Sequence, residues 1–185
     1  MADPQVATDR LVLRQWRDED LFPFVAMNSD TQVMRYFPST LPAEQSAEMI
    51  GRQQALLSNG EPGLFAAEVW ATGEFIGFIG LAVPRFSAHF TPCVEIGWRL
   101  AKSAWGHGYA TEGATAMLEY GFRTFDLPEI VSFTSAINER SIAVMERIGL
   151  QHNPADDFDH PAMAEGDRLR RHVLYRRKRP IRTRR

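Results

Sequence analysis

A turn containing two glycines separates a strand-like segment from a helix-like segment in the middle of the chain. Residues 99–114 read RLAKSAWGHGYATEGA, with Gly106 and Gly108 two positions apart. At the start of a helix, the first backbone N–H groups have no partner within the helix, and the helix dipole adds partial positive charge. A turn without Cβ atoms lets an anion lie directly on these donors. The sequence therefore predicts a phosphate-binding turn between a strand and a helix.

Hydrophobic patterns on either side of this turn predict a fold with both strands and helices. The predicted strands are 10–16, 64–70, 74–84, 93–100, 129–136 and 169–176. The predicted helices are 18–28, 42–60, 109–125 and 138–148. Strands come first as a meander and then alternate with helices. This order predicts an α/β (α+β) domain with a mixed sheet and helices on both faces.

The fourth predicted strand contains two residues that do not suit an ordinary central strand. Gly97 interrupts it, which often marks a bulge or a close approach of another backbone. Glu95 lies on the face opposite Ile96, Trp98 and Leu100, and a carboxylate is costly to bury there unless it is paired or used. Arg99 shares its face but is roughly 13 Å away along an extended strand, too far to pair. Glu95 is therefore the candidate catalytic base.

Length and charge suggest one domain followed by a basic tail. The 185 residues suffice for a single domain, predicted at 1–176, and 177–185 form the tail. The last ten residues, RRKRPIRTRR, carry seven Lys or Arg and no acid. Such a tail either contacts RNA or is a solvated terminus, and nucleic acid is not expected elsewhere on the chain.

Cysteine content and hydropathy bear on where the protein works. Cys93 is the only cysteine, which suits a reducing cytoplasm. The N-terminus lacks a basic-then-apolar signal pattern, and no apolar run approaches the roughly 18 residues needed to span a bilayer. We therefore predict a cytoplasmic protein without a membrane partner. The sequence leaves a homodimer open.

Two common phosphate-binding motifs do not match the glycine turn. A P-loop needs GxxxxGK[ST], yet no Lys or Arg lies between Lys102 and Arg123. A dinucleotide fingerprint needs a third glycine where Thr111 stands. His and acidic residues show no metal-ligand spacing, so no metal is predicted. A pyrophosphate bound by backbone amides remains.

Longer motifs around the turn carry a family resemblance. The run EIGWRLAKSAWGHGYATEG, followed by NERSIAVMERIGL at 138–150, resembles the GNAT superfamily of acetyl-CoA-dependent N-acetyltransferases, and its RimJ/RimL-like branch in particular. RLVLRQWRDEDL near the start and HVLYR near the end fit the same branch. The resemblance covers roughly residues 8–176. It implies a central mixed, mostly antiparallel sheet that splays between the strands predicted at 93–100 and 129–136.

The resemblance also implies a cosubstrate and its contacts. Pantetheine inserts between the splayed strands, and the glycine turn holds the pyrophosphate of coenzyme A. The implied coenzyme A contacts are the backbone of Ile96, Trp98 and Leu100, the amides of His107, Gly108, Ala110 and Thr111, and Asn138. Backbone N–H groups of the splayed strand would stabilise the oxyanion. For Asn138, a pure helix-capping role is the alternative.

The sequence departs from the family pattern at two positions. Trp105 stands where a Gln or Arg usually opens the turn, and Met145 stands where a Tyr often acts as general acid. A methionine cannot donate a proton, so the general acid falls to Ser141 or to solvent. Ser141 is equally compatible with an ordinary first-turn serine. Glu112, in the first turn after the glycines, is interpreted as structural because acids complement the helix dipole there.

The acceptor side of the predicted site is less defined. Residues 154–167 hold five acids and no Lys or Arg, and they form either a rim that attracts an ammonium group or a solvated loop. His160 and His172 are interpreted as a loop and a core or edge histidine.

The resemblance implies an N-acetyltransferase that moves an acetyl group from acetyl-CoA to a primary amine. The amine belongs to a protein N-terminus or to a small molecule. The alternatives are a non-catalytic acyl-CoA-binding sensor and a ribosome- or RNA-associated module that depends on the basic tail.

Overall fold

The computed structural model describes residues 5–180, which form one mixed sheet of nine strands and four α-helices. The strands are β1 (Val6–Ala7), β2 (Leu11–Arg14), β3 (Leu64–Val69), β4 (Glu74–Ala82), β5 (Glu95–Leu100), β6 (Glu129–Ser135), β7 (Gln151–His152), β8 (Phe158–Asp159) and β9 (Arg171–Lys178). The helices are α1 (Leu21–Ser29), α2 (Ala43–Ser58), α3 (Tyr109–Thr124) and α4 (Glu139–Arg147).

The sheet order places the fourth and fifth predicted strands, now β5 and β6, side by side at its centre. The order is β1-β2-β3-β4-β5-β6-β9-β7, and β8 also pairs with β9. All neighbouring strands are antiparallel except β5 and β6, which are parallel. The α3 crossover supplies this parallel connection, since parallel neighbours cannot be joined by a tight hairpin. The predicted mixed, mostly antiparallel sheet is confirmed.

Helices cover both faces of the sheet, as the sequence predicts. A Cβ placed on Gly113 of α3 would come within 2.4 Å of the Ile79 side chain, so α3 packs tightly on one face of β4. Phe78, which directly precedes Ile79, points to the other face and lies edge-on to Phe24 of α1, with ring centroids 6.2 Å apart. Because successive strand residues alternate between faces, these two contacts fix the two layers of helices.

The boundary between domain and tail differs from the prediction. The last strand ends at Lys178, so the predicted boundary at residue 176 falls within β9. Arg176 donates from Nη1 to Glu129 at 2.7 Å and from Nε to Asp156 at 2.8 Å. The start of the basic run therefore belongs to the sheet, and Arg179 pairs with Asp126 at 2.6 Å. Residues 181–185 lie outside the described residues. The two-residue strands β1, β7 and β8 are too short for a periodicity signal and were not predicted.

The longest helices are α2 and α3, with 16 residues each. Within residues 5–180, no helix has both the length and the apolar character that a membrane crossing requires.

Candidate active site

The gap at the centre of the sheet begins where β5 and β6 separate. The two strands pair at one position, Glu95 with Val131, where the Val131 N–H donates to the Val94 carbonyl at 3.0 Å. From there on β6 pairs only with β9, along its whole length. Two parallel strands that part after one bridge leave a slot lined by unpaired backbone. The splay predicted between these two strands is confirmed.

Backbone direction along β5 shows which residue faces this gap. The Ala101 N–H donates to the Ile76 carbonyl of the preceding strand at 2.8 Å. In an antiparallel ladder, alternate residues point their N–H and C=O groups to opposite sides. The backbone N–H and C=O groups of Arg99 therefore point toward β4, and those of Trp98 point into the gap.

The carbonyls on either side of Trp98 already have partners. The Ser132 hydroxyl donates to the Ile96 carbonyl at 2.9 Å, and the Trp105 indole N–H donates to the Leu100 carbonyl at 2.9 Å. Of the three predicted backbone contacts for pantetheine, Trp98 is thus the one whose carbonyl has no partner among residues 5–180. A ligand that pairs with β5 as an added strand would bond there first.

The glycine turn at the end of β5 has the conformation that only glycine adopts readily. Gly106 has φ +81° and Gly108 has φ +80°, both in the left-handed region. Gly108 is the residue that precedes α3, and no side chain caps this helix. Its first-turn N–H groups, which include those of Ala110 and Thr111, are therefore available to an outside acceptor. The turn has the form expected of an anion-binding site.

Arg10, near the N-terminus, forms a salt bridge with Glu112 and connects the glycine turn to the first part of the chain. Arg10 donates from Nη1 to the His107 carbonyl at 3.0 Å and from Nε to Glu112 at 2.7 Å. Thr8 donates to the same carboxylate at 2.6 Å. Burial alone would raise the pKa of Glu112, but these hydrogen bonds from Thr8 and Arg10 lower it below its usual value. Glu112 thus holds the turn in place. The role of Arg10 was not predicted from the sequence, because no local pattern connects this residue to the turn.

Glu95 lies at the start of β5 on the face that the helix α3 does not cover. Ile79 contacts α3 and pairs with Trp98, so the Trp98 side chain shares the α3 face. Glu95, three residues earlier, points to the opposite face. Burial raises the pKa of Glu95 to about 8. Among residues 5–180 no cation lies within ion-pair distance of it. An unpaired carboxyl that titrates near 8 can take a proton from a substrate.

On the α3 side of the gap, Asn138 and Ser141 form a closed pair at the start of α4. The Ser141 N–H donates to Asn138 Oδ1 at 3.4 Å, and Asn138 Nδ2 donates to Thr134 Oγ1 at 2.9 Å and to Ser141 Oγ at 3.0 Å. The geometry favours the capping role for the Asn138 side chain. The Ser141 oxygen accepts a bond here, which leaves its own hydrogen free to be donated. Met145 is 1% exposed and packs in the core.

An aromatic cluster lies beside the gap on the Glu95 face. The rings of His160 and His172 are 4.8 Å apart, and His172 also packs on Phe133 and Phe158. Burial lowers the pKa of both histidines, and for His172 the nearby His160 adds to this effect. Both rings are therefore neutral at physiological pH. His172 is a core histidine, as the sequence suggests.

Three of the five acids at 154–167 contact neighbouring Arg or His side chains. Asp156 pairs with Arg176 at 2.8 Å, and Asp157 pairs with His152 at 2.7 Å. Asp159 pairs with Arg170 at 3.2 Å. These carboxylates connect β7, β8 and β9, an arrangement that neither the predicted rim nor the solvated loop included. Within the described residues, no group of three or more His, Cys, Asp or Glu side chains could hold a metal ion.

Comparisons with known proteins agree with this geometry. Residues 10–151 match the family model described as an acetyltransferase (GNAT) domain. The chain is 33% identical over 153 residues to the uncharacterized protein YkkB of Bacillus subtilis (strain 168), covering 82% of this chain and 88% of that one. It is 33% identical over 156 residues to the FsC-acetyl coenzyme A-N(2)-transacetylase of Aspergillus fumigatus, covering 82% of this chain and 66% of that one.

A solved structure supports the fold independently of sequence. Mycobacterium smegmatis RimJ in complex with CoA-disulfide superposes with a TM-score of 0.75 at 20% identity, covering 95% of this chain and 88% of that one. At this identity the likeness concerns the fold alone.

Proposed function

The chain belongs to the GNAT family of acetyltransferases, and we propose that it moves the acetyl group of acetyl-CoA to a primary amine. The observation that carries the proposal is the slot between β5 and β6, which runs from Glu95 to an uncapped helix N-terminus at Gly108. A thioester with a long arm and a pyrophosphate matches both ends of this slot. The Glu95 side chain marks the face from which an amine would approach.

Binding uses backbone groups more than side chains. The N–H and C=O groups of Trp98 pair with the amides of the pantetheine arm. The amides of His107, Gly108, Ala110 and Thr111 hold the pyrophosphate, with the helix dipole adding partial positive charge. Ile96 and Leu100 complete the β5 edge. Asn138 supports this arrangement indirectly, because its side chain is used to cap α4.

The chemistry needs one base and one acid. Glu95, directly or through water, removes a proton from the ammonium form, and the neutral amine attacks the thioester carbonyl carbon. The developing oxyanion accepts hydrogen bonds from backbone N–H groups of β5. The C–S bond then breaks and the CoA thiolate takes a proton from Ser141 or from solvent. The products are the N-acetyl amine and free CoA thiol.

The site offers one carboxylate, Glu95, as base, and Met145 stands where the family often has a tyrosine acid. Such a site favours an acceptor whose amine has a low pKa. A lysine-like amine with pKa about 10.4 is only about 0.1% neutral near pH 7.5, whereas an α-amine near 7.7–8.0 is roughly a third neutral. The A. fumigatus relative is named for transfer to an N(2) nitrogen, which also fits an α-amine type of acceptor. We therefore propose a protein N-terminal α-amine or a small molecule with a comparable amine.

The test is an acetyl-transfer assay over a panel of amines with acetyl-CoA as donor. The panel contains peptides with free N-termini, amino acids, polyamines and aminoglycosides, and the readouts are CoA thiol release and the mass of the acetylated product. We expect release that depends on the amine and is fastest with α-amines. Tight acetyl-CoA binding without amine-dependent release would instead support the non-catalytic sensor.

Deleting residues 181–185 is expected to change kcat/KM for a small amine by less than about twofold, because the sequence IRTRR has no periodic apolar face to dock on the domain. The cut is placed after residue 180 because Arg176 is tied into the sheet. A loss of tenfold or more would place the tail in the site.

The same truncated protein tests the RNA alternative. A salt-dependent titration with RNA, with and without residues 181–185, would reveal a tail-dependent polyanion site. The cytoplasmic location and the homodimer stay predictions.

A further inference from the structure

Arg99 is a cation held against aromatic rings on the acceptor face of β5. Its Nη1 donates to Asn28 Oδ1 of α1 at 2.8 Å. The guanidinium carbon lies 4.0 Å from the Phe37 ring centroid and 5.3 Å from that of Phe78. These contacts fix the side chain on the same face as Glu95, away from α3 and the glycine turn.

The part of the chain that the structure describes supplies no carboxylate partner to this cation. Among residues 5–180, no carboxylate lies within 4.0 Å of the Arg99 guanidinium. Its Nε is buried and has no hydrogen-bond partner. Burial lowers the pKa of Arg99 to about 10, so the group still carries its charge at neutral pH. Arg99 is half-buried, and charges that are largely removed from water are normally paired, so this one lacks the partner that its surroundings call for.

Open space connects Arg99 with the reacting end of the site. Gly97 lies between Glu95 and Arg99 on the same face of β5, and a Cβ added to it would meet no atom within 4 Å. The Cα atoms of Glu95 and Arg99 are about 13 Å apart along the extended strand. The result is a trough with a carboxyl group at one end, a guanidinium at the other and a glycine as its floor.

We propose that Arg99 binds a carboxylate carried by the acceptor amine. This inference rests on the proposed function, because the amine end of the acceptor is defined by Glu95. A guanidinium binds carboxylates through parallel, charge-assisted hydrogen bonds, which lysine cannot reproduce. Asn28 orients the planar guanidinium group by accepting a hydrogen bond from Nη1. The other terminal nitrogen, Nη2, makes no hydrogen bond to residues 5–180. A carboxylate paired with Nη2 compensates a charge for which residues 5–180 supply no anion.

Two sources of carboxylate fit this site. One is the carboxylate of a free amino acid, and the other is an acidic side chain next to the N-terminal residue of a peptide. In both, the anion lies closer to the amine than the two Cα atoms lie to each other, so the long Arg99 side chain must span part of this distance and Glu95 acts on the amine through water. The phosphates of coenzyme A are not a third source, because Arg99 extends toward α1 on the face opposite the α3 layer.

The test compares acceptors with and without the carboxylate, and kcat/KM is expressed per concentration of neutral amine because removing the carboxylate also lowers the pKa of the α-amine. Amino acids are compared with their amides, and peptides with Asp at the second position are compared with the same peptides with Asn there. We expect kcat/KM to favour at least one carboxylate-bearing set by about tenfold or more, as one added charge-assisted pair implies. The set that shows the preference identifies the source.

Two variants separate Arg99 from general effects on the site. In Asn28→Asp, the atom that accepts from Nη1 becomes part of a carboxylate, so Arg99 gains an internal partner and the preference should disappear. Because Asn28 is 0% exposed and its replacement risks misfolding, Arg99→Gln provides a second route to the same loss. Acetyl-CoA affinity should be unchanged in both variants. Arg52→Gln, which removes an exposed cation on α2, is the matched control and should keep the preference.

The outcomes distinguish this inference from the proposed function. Equal kcat/KM for acids and amides in the wild-type protein, with transfer intact, overturns the role of Arg99 and leaves the acetyltransferase proposal standing. A preference that persists in Arg99→Gln overturns it as well. If the protein acetylates no amine, both the role of Arg99 and the acetyltransferase proposal are wrong.

Discussion

Replacing Gly108 with valine is expected to weaken acetyl-CoA binding by more than about a hundredfold, because two charge-assisted hydrogen bonds at roughly 1.5–3 kcal/mol each would be lost. Gly108 has φ +80° and precedes the first turn of α3. A β-branched residue resists this conformation, so the turn must rotate and its amides no longer converge on one anion. An added Cβ would meet only Arg10 Nη2 at 3.5 Å, an ordinary contact, so the effect is conformational.

Isothermal titration calorimetry with acetyl-CoA measures this loss, and thermal melting reports the stability of the variant. Gly73→Val is the matched control: Gly73 has φ +69°, has no atom within 4 Å of an added Cβ, and lies in the turn between β3 and β4. Both variants carry a similar backbone strain of about 1–2 kcal/mol. Only Gly108→Val should lose affinity. Unchanged affinity in that variant, with wild-type melting, would remove the glycine turn from the binding site.

Glu95→Gln is expected to lower kcat/KM near pH 7.5 by about a hundredfold or more, the usual contribution of a positioned base. A base acts only when deprotonated, and burial raises the pKa of Glu95 to about 8. Wild-type activity should therefore rise with pH up to about 8 and then level off. The variant lacks this group, so its activity should follow the ionisation of the acceptor alone. Part of the loss should be recovered as pH approaches the pKa of the acceptor amine.

The measurement is a pH–rate profile of both proteins on the best acceptor found. Glu119→Gln makes the same chemical change at an exposed position of α3 and should leave the profile unaltered. If the Glu95→Gln and wild-type curves coincide, Glu95 is not the base, and the neutral histidines of the aromatic cluster become the next residues to replace.

Local sequence determined most of the fold and, within the candidate site, the glycine turn and the cap of α4. Strand and helix patterns depend on residues within a few positions of one another, and the long elements were predicted to within a few residues. The glycine turn is equally local, because a left-handed backbone followed by an apolar helix leaves its signal in consecutive positions. The same holds for Asn138, whose side chain caps a helix that begins one residue later. Glu95 stood out because an acid in an apolar strand is unusual.

Only the tertiary structure decided which charges are paired and which remain open. Glu112 is tied to Arg10 across 102 positions of sequence, and Arg99 is tied to Asn28 across 71. The sequence left the acids at 154–167 as either a rim or a solvated loop, yet β9 brings Arg176 and Arg171 against two of them. An ion pair depends on distances of a few ångströms between side chains whose positions come from packing, and no local pattern encodes such distances. For this reason the sequence nominated Glu95 as the candidate base, whereas the Arg99 guanidinium, which has no carboxylate partner among residues 5–180, emerged only from the folded chain.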